Sequence, residues 1–476
     1  MARSRLATHG LAYLGARAVQ LLAYVAVMPI VTRQLDETAY GTVALALVVF
    51  QALAAVAPLG LTSVVAWSLY EKEPDAERRS QRLLVATAGI ATVLAAAAWV
   101  TGPVWSHLFN GLGFDGPLQL AVLLVVPVTV QAAALSIFQA QGRPVAFVAT
   151  TLVVTVGGQG LGLALLFVRA TPSSYLAGVL AGAVAGAVLA LALLPLRTVR
   201  PAPIDRVRSA VQHGGPTIAH LLGFMLLALA DRVLVERELG IDAAARYQVA
   251  YVVGSVGSVV LYGLNNAWAP MVYADADDDD GRWRTLTTTS VPVAWLVGVL
   301  VAAVGLAAPV GLRILAPPSY APEELAGVAT LVAAATLFDF VYLASVMVLF
   351  KRKRTAMLLL AMPLAALLNV GLNVVLLPIW GLTAAAAATV AGYALLAGLV
   401  GLASRRQAAV PWNRPALAEA GVTGLVGVGL ALVLPTSGAG LVVRLALVAG
   451  LAGVALSRSG SLVRLAPRRR AAVVPG

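Results

Sequence analysis

Residues 9–35 read HGLAYLGARAVQLLAYVAVMPIVTRQL, and residues 213–239 read HGGPTIAHLLGFMLLALADRVLVEREL. Each is a mostly apolar run longer than the roughly 20 residues that cross a bilayer. Each opens on His-Gly and closes on Arg, one intervening residue and Leu. The second lies 204 positions after the first, so that His9-Gly10 recurs as His213-Gly214 and Arg33-Gln34-Leu35 as Arg237-Glu238-Leu239. After a two-residue insertion Thr42-Val43-Ala44 aligns with Gln248-Val249-Ala250. At an offset of 211, Arg143 meets Arg354 and Gly160-Leu161-Gly162 meets Gly371-Leu372-Asn373. Matches in one order at a near-constant offset point to a chain that crosses the membrane many times and repeats itself.

The composition agrees. Of 476 residues, 60% are hydrophobic and 11% charged, against about 25% charged in soluble globular domains. The mean hydropathy is +0.90. Apolar stretches run at about 9–33, 41–70, 82–108, 117–141, 145–168 and 174–196, then at 211–236, 245–273, 285–312, 322–350, 355–377 and 381–403. A shorter, glycine-rich pair follows near 415–435 and 439–457. The expected fold class is therefore an all-α polytopic membrane protein of about 14 transmembrane helices. Arg3 and Arg5 precede an apolar run too long for a signal-peptide core, and no small-residue cleavage site follows it, so this run is expected to remain as the first helix.

The net charge of +12 records topology rather than affinity for nucleic acid. Taking alternate loops, 25 of the 33 Lys and Arg residues fall on the side that holds both termini, 7 on the other, and Arg17 inside a span. The positive-inside rule places both termini in the cytoplasm. The repeat unit is six helices, an even number, so both copies enter the membrane the same way and are expected to relate by an axis along the membrane normal. The reading divides the chain into an N-lobe at 1–196, a cytoplasmic linker at 197–209, a C-lobe at 210–404, and a helix pair with basic tail at 405–476. Outer loops of about ten residues or fewer leave no room for a catalytic domain outside the membrane.

At this point the residues resemble a family. Helix 1 ending in Pro29-Ile30-Val31-Thr32-Arg33-Gln34-Leu35, followed by Tyr40-Gly41-Thr42-Val43-Ala44, is similar to the opening of bacterial polysaccharide-repeat-unit flippases. So are Pro58-Leu59-Gly60-Leu61, Ala230-Asp231-Arg232-Val233-Leu234 and the stretch Arg246-Tyr247-Gln248-Val249-Ala250-Tyr251. These flippases belong to the multidrug/oligosaccharidyl-lipid/polysaccharide superfamily, with MATE antiporters and the lipid II flippase as relatives. The resemblance covers the whole chain in helix count, six-plus-six repeat and C-terminal pair. It implies movement of undecaprenyl-pyrophosphate-linked oligosaccharide from the inner to the outer leaflet of the bacterial cytoplasmic membrane by alternating access. It implies a polysaccharide polymerase and glycosyltransferases as partner enzymes, no catalytic residues and no cofactor.

Polar groups inside a span are costly and tend to face a cavity. In helix 1, Tyr13, Arg17, Gln20 and Tyr24 follow the spacing of one helical face. Arg17 either offers its donor fork to a pyrophosphate or snorkels to the inner headgroups. On the repeat-equivalent helix, His213, Thr217, His220, Phe224 and Asp231 share a face. His220 is a candidate phosphate ligand or a satisfied core histidine, and Asp231-Arg232 reads as an interfacial ion pair. Tyr251, Ser255, Ser258, Tyr262 and Asn265-Asn266 line helix 8, as a sugar-contacting wall or as interhelical hydrogen bonds; Asn369 and Asn373 are ambiguous in the same way. Asp339, the most deeply placed acid, is either an ion-coupling site or the partner of an arginine on another helix.

Other chemistries fall away. The chain contains no cysteine, and its four histidines lack zinc-site spacing. The run Asp275 to Gly281 has Leu286 where a calcium loop needs a bidentate glutamate. No phosphate-binding loop of the ATPase type exists. Lys351-Arg352-Lys353-Arg354 and Arg468 to Arg470 are suited to anionic lipid. Against the flippase reading stand a MATE-type drug or metabolite antiporter, which would need acids in its cavity, and a membrane glycosyltransferase or polymerase, which would need an outer catalytic loop.

Overall fold

The computed structural model describes residues 2–70, 75–196, 200, 202–274 and 283–463, with side chains except at 2–14, 17–18, 21, 63, 66–68, 70, 206, 210, 212–222, 456 and 458–463. Helices account for nearly all of it, and no strand occurs among the described residues. The first repeat folds as α1 (Ala2–Gln34), α2 (Glu37–Val56), α3 (Leu61–Tyr70), α4 (Ala76–Val100), α5 (Gly102–Trp105), α6 (Gly116–Ala140), α7 (Pro144–Leu152), α8 (Gly158–Val168) and α9 (Pro172–Leu193). The second gives α10 (Ile204–Leu239), α11 (Ile241–Gly254), α12 (Val256–Ala274), α13 (Arg284–Leu315), α14 (Ala326–Lys351), α15 (Leu358–Trp380) and α16 (Leu382–Gln407). The final pair is α17 (Arg414–Val433) and α18 (Gly438–Val463).

Among the described residues eleven helices are long and apolar enough to cross a membrane, or twelve when α11 and α12, bent by 48° at Ser255, are taken as one span. The sequence expectation was fourteen. The helices α1 and α10, which begin the two halves of the repeat expected from sequence, stand outside that count, and each contains side chains that are not described. Both members of the short C-terminal pair are within it.

Local sequence sets where helices begin. Asp36 caps α2 by accepting from the Ala39 amide at 2.8 Å, and Thr171 caps α9 ahead of Pro172 by accepting from Ser174. Asn413 does the same for α17 ahead of Pro415. Such side chains satisfy amides that the first turn leaves free, and proline suits the first turn because it has no amide to lose.

Packing groups the chain into two compact units, one of residues 1–249, 313–322 and 358–392, the other of 250–312, 323–357 and 393–476. This grouping follows contacts, whereas the division at 197–209 follows the repeat. In the first unit α8 and α9 meet along glycines. A Cβ at Gly178 would lie 2.3 Å from the Gly162 amide nitrogen, and one at Gly182 only 2.1 Å from the Gly158 Cα. Small residues four apart let backbones approach this closely, which in a membrane replaces the missing hydrophobic drive. Between α7 and α8 the same span passes through a π-helical turn at Val153–Gly157.

In the second unit α14 is central: 78% of its span is buried, against 6% for α18. The α17 helix lies on α13 and α14 through Gly424 and Gly427, where added methyls would strike Leu337 and Ala302. Arg444 of α18, only 1% exposed, donates to the carbonyls of Ala431 and Leu434 at 2.6 Å each, of Pro435 at 3.0 Å and of Gly305 at 3.4 Å. The last carbonyls of a helix have no intrahelical donor, so this guanidinium caps α17 from its neighbour. An apolar groove of about 570 Å³ runs between α13, α17 and α18, lined by Leu306, Val422, Val426, Leu430 and Leu447 among others.

Candidate functional site

Asp339 sits in α14 at 1% exposure. Its partners come from α12, where Ser258 and Tyr262 stand one turn apart and so share a face. Ser258 Oγ donates to Oδ2 at 2.7 Å and the Tyr262 hydroxyl to Oδ1 at 3.0 Å. Thr336, one turn before Asp339, brings its hydroxyl to 3.0 Å from Ser258 Oγ. The close approach is built into α11 and α12: Cβ atoms at Gly254 and Gly257 would lie 2.5 Å from the Ala329 carbonyl and 3.0 Å from Thr336 Oγ1. No cation pairs with Asp339 among the described residues. The arginine-partner reading of this acid therefore finds no support there. Two neutral donors stabilise a carboxylate only in part, and a buried charge without a counter-charge is costly. The arrangement suits a carboxyl group that takes up a proton or a small cation.

The second buried aspartate is different. Asp231 of α10 is fully buried and carries its own cation, with Arg232 Nη1 3.1 Å from Oδ1. The Tyr247 hydroxyl donates to Oδ2 at 2.5 Å and Thr389 of α16 to the same oxygen at 3.4 Å. Arg232 further donates to Gln248 Oε1 at 2.7 Å and to the Ala228 carbonyl. The ion pair expected from sequence is present, but inside the protein, with side chains 6% and 0% exposed. Beside it on α15, Asn369 and Asn373 are both fully buried. Asn373 Nδ2 donates to the Asn369 carbonyl at 2.9 Å, while Asn369 Nδ2 and Asn373 Oδ1 have no hydrogen-bond partner. Gly392 makes room for Asn369, since a Cβ there would come within 3.3 Å of the Asn369 Cβ.

The remaining candidates are dispersed. Gln20 is half-buried and Tyr24 exposed on α1. Tyr251 and Ser255 are half-buried; Ser255 donates to the Val252 carbonyl at 3.2 Å, at the bend between α11 and α12. Asn265 is half-buried, and its Oδ1 lacks a partner. The side chains of Tyr13, Arg17, His213, Thr217 and His220 lie outside the described residues, as does the acidic run from Asp275 to Gly281. Sequence reasoning placed Ser258, Tyr262 and Asp339 correctly along their helices without joining them. It missed Thr336, Tyr247, Gln248 and Thr389. Thr336 was findable, standing three residues before a deeply placed acid; for Thr389 no sequence signal existed.

Comparisons with known proteins bear on this architecture. The sequence model of a family described as polysaccharide biosynthesis protein matches residues 9–274. No curated protein sequence matches the chain significantly. Among solved structures, the lipid II flippase MurJ in an inward closed conformation superposes with a TM-score of 0.67 at 12% identity, covering 96% of this chain and 99% of that one. An inward-facing multidrug resistance MATE transporter gives 0.62 at 16% identity, covering 84% and 96%. A transporter of the same superfamily from Pyrococcus furiosus, described as having a binding pocket of reverse polarity, gives 0.60 at 15%, covering 84% and 95%.

Proposed function

The chain belongs to the polysaccharide biosynthesis protein family, and on that premise we propose that it carries lipid-linked oligosaccharide, on an undecaprenyl-pyrophosphate anchor, from the inner to the outer leaflet. It is a multi-pass membrane protein with the fold of the superfamily's transporters and flippases. The carrying observation is the extent of the family match, which spans the whole first repeat and enters the second. Coverage supports it: the flippase likeness extends over 96% of the chain and the MATE likeness over 84%. The apolar groove beside the C-terminal pair has walls that suit an isoprenoid chain.

The chemistry of such a cargo is demanding. A pyrophosphate moved unaccompanied into low dielectric faces a cost of tens of kcal/mol, which a cavity cation such as Arg17 offsets through charge-assisted bonds of about 1.5–3 kcal/mol each. With no phosphate-binding loop in the sequence, the drive is a substrate or ion gradient, and Asp339 is the residue suited to sense the ion. In this reading both termini face the cytoplasm of a bacterial cell, and sugar-loading enzymes and a polymerase work on either side of the step. The same lone carboxylate favours a second reading, a MATE-type antiporter of cationic metabolites. Deleting the gene separates the two. Loss of surface polysaccharide with lipid-linked repeat units held on the inner leaflet supports the flippase; intact polysaccharide with altered cation resistance supports the antiporter.

A further inference from the structure

The ends of α1 and α10 make a set of contacts that repeat themselves at a constant separation of 204, the offset of these two helices, although the sequence match itself has shifted to 206 by Thr42. Thr32 Oγ1 donates to the Leu315 carbonyl at 2.6 Å, and Arg33 Nη1 to the Ile314 carbonyl at 3.1 Å. Glu236 and Arg237 stand 204 positions after Thr32 and Arg33, and Ile314 and Leu315 stand 204 after Asn110 and Gly111. The reciprocal contacts exist. Glu236 Oε1 accepts from the Gly111 amide at 2.6 Å, and Asn110 Nδ2 donates to the Arg237 carbonyl at 2.8 Å. The Asn110 amide adds a bond to Glu236 Oε2 at 3.3 Å. Between the two pairs, Thr38 Oγ1 donates to Asp242 Oδ1 at 2.6 Å across a separation of 204. A contact between two residues separated by that same 204 positions lies on the axis that relates the two pairs, and paired contacts of this kind are the signature of an isologous interface.

We infer that this end of the molecule is a pseudo-twofold latch that holds the two repeats together and must part when the protein opens on that side; the inference rests on the alternating-access reading above. The latch is tight at its centre. A Cβ at Gly41 would lie 2.5 Å from the Ile241 carbonyl, so the second turn of α2 rests on the first residue of α11. Tyr320, fully buried, donates to the carbonyls of Leu35 at 3.2 Å and Asp36 at 3.1 Å, and its own carbonyl accepts from Arg246 Nε at 3.1 Å. Burial, with the acids Glu37, Asp36 and Asp242 nearby, raises the Tyr320 phenol above its ordinary range, so it remains a donor.

The two halves differ in strength. One rests on the buried Thr32 hydroxyl and a solvent-exposed bond from the Arg33 guanidinium, the other on the Glu236 carboxylate, 1% exposed, which binds two backbone amides. Bonds to a charged group are about twice as strong as neutral ones. Glu236 is thus the main bolt and Thr32 its weaker counterpart.

The chain has no cysteine, so the pair Thr38→Cys with Asp242→Cys can be bridged selectively by a short, reducible bifunctional thiol reagent in vesicles. Bridging should stop movement of lipid-linked oligosaccharide, and reduction should restore it. Spin labels on the same pair should report a short and a long distance. Glu236→Gln should raise the ratio of long to short about tenfold, and Thr32→Val, the gentler variant, about threefold. Undiminished transport by the bridged protein overturns the latch, and so does a single short distance that neither variant changes. If no oligosaccharide moves in any form while both distances are populated and shift as stated, the latch stands and the cargo assignment falls.

Discussion

Replacing Asp339 by Asn tests whether its buried carboxyl group is there for stability or for transport. The carboxylate accepts from Ser258 at 2.7 Å and from Tyr262 at 3.0 Å. Asparagine keeps one acceptor oxygen, and its amide can donate to whichever hydroxyl oxygen it faces, so both donors retain a partner. What is lost is the charge-assisted part of two bonds, about 0.5–1.5 kcal/mol each. What is gained is relief from burying a charge that no described cation balances, which is of similar size or larger. The net change in stability should lie within about 1.5 kcal/mol of zero. Asp339→Leu, by contrast, leaves Tyr262 without its acceptor and should cost about 2 kcal/mol.

Transport should respond in the opposite order of subtlety. Asparagine can neither bind a proton in this range nor offer a full charge to sodium, so a coupling role predicts a rate at least about tenfold lower, equivalent to 1.4 kcal/mol on the barrier. The assay is movement of lipid-linked oligosaccharide in vesicles across a range of pH and sodium, alongside thermal unfolding in detergent. A stable Asp339→Asn protein that transports at the wild-type rate under all those conditions would refute the coupling role. An unstable one would refute the structural half of the reasoning.

Other outcomes are expected at separate places. Gly182→Ala puts a methyl 2.1 Å from the Gly158 Cα and should cost about 2–3 kcal/mol by overpacking, read as a lower unfolding temperature; an unchanged one contradicts the backbone-to-backbone contact of α8 with α9. Arg444→Met removes the donors to Ala431 and Leu434 and should cost about 2–4 kcal/mol, seen as earlier proteolysis at the Pro435 turn. Arg17→Ala should abolish or greatly reduce surface polysaccharide at normal protein levels, and Arg17→Lys should keep part of it; wild-type export by Arg17→Ala makes this residue a snorkelling anchor.

Much of this was legible in the sequence because membranes impose simple rules. A bilayer demands long apolar helices, and one continuous residue pattern reveals each, so eleven or twelve of the fourteen expected spans stand among the described residues. The latch was half legible: the matched Arg33-Gln34-Leu35 and Arg237-Glu238-Leu239 marked two equivalent ends. Nothing in the sequence said that Glu236 would reach Gly111, because that contact depends on where the loop after α5 folds back. The partners of Asp339 were hidden for the same reason. Ser258 and Tyr262 announced a polar face on α12 but not which helix it would meet. Polar stripes name a face; only packing names the partner.

The two buried aspartates suit different tasks. Asp231 has Arg232 at 3.1 Å and two hydroxyl donors, so its charge is already balanced and a cation has little to add. Among the described residues Asp339 has hydroxyls alone as donors, and these come from α12, the continuation of α11 beyond the 48° bend at Ser255. The start of α11 carries Asp242, the axial residue of the latch. One bent span therefore joins the latch to the donors of the unbalanced carboxylate, sixteen residues apart from Asp242 to Ser258. When Asp339 is ionised both hydroxyls must point at it; once neutral it can donate instead, and the hold on α12 loosens. If that loosening is transmitted along the span, Asp339→Asn should shift the spin-label distances between positions 38 and 242 in membranes without any cargo. Loss of transport with those distances unchanged would mean that the ion acts on α14 itself and that the bend at Ser255 is a fixed corner.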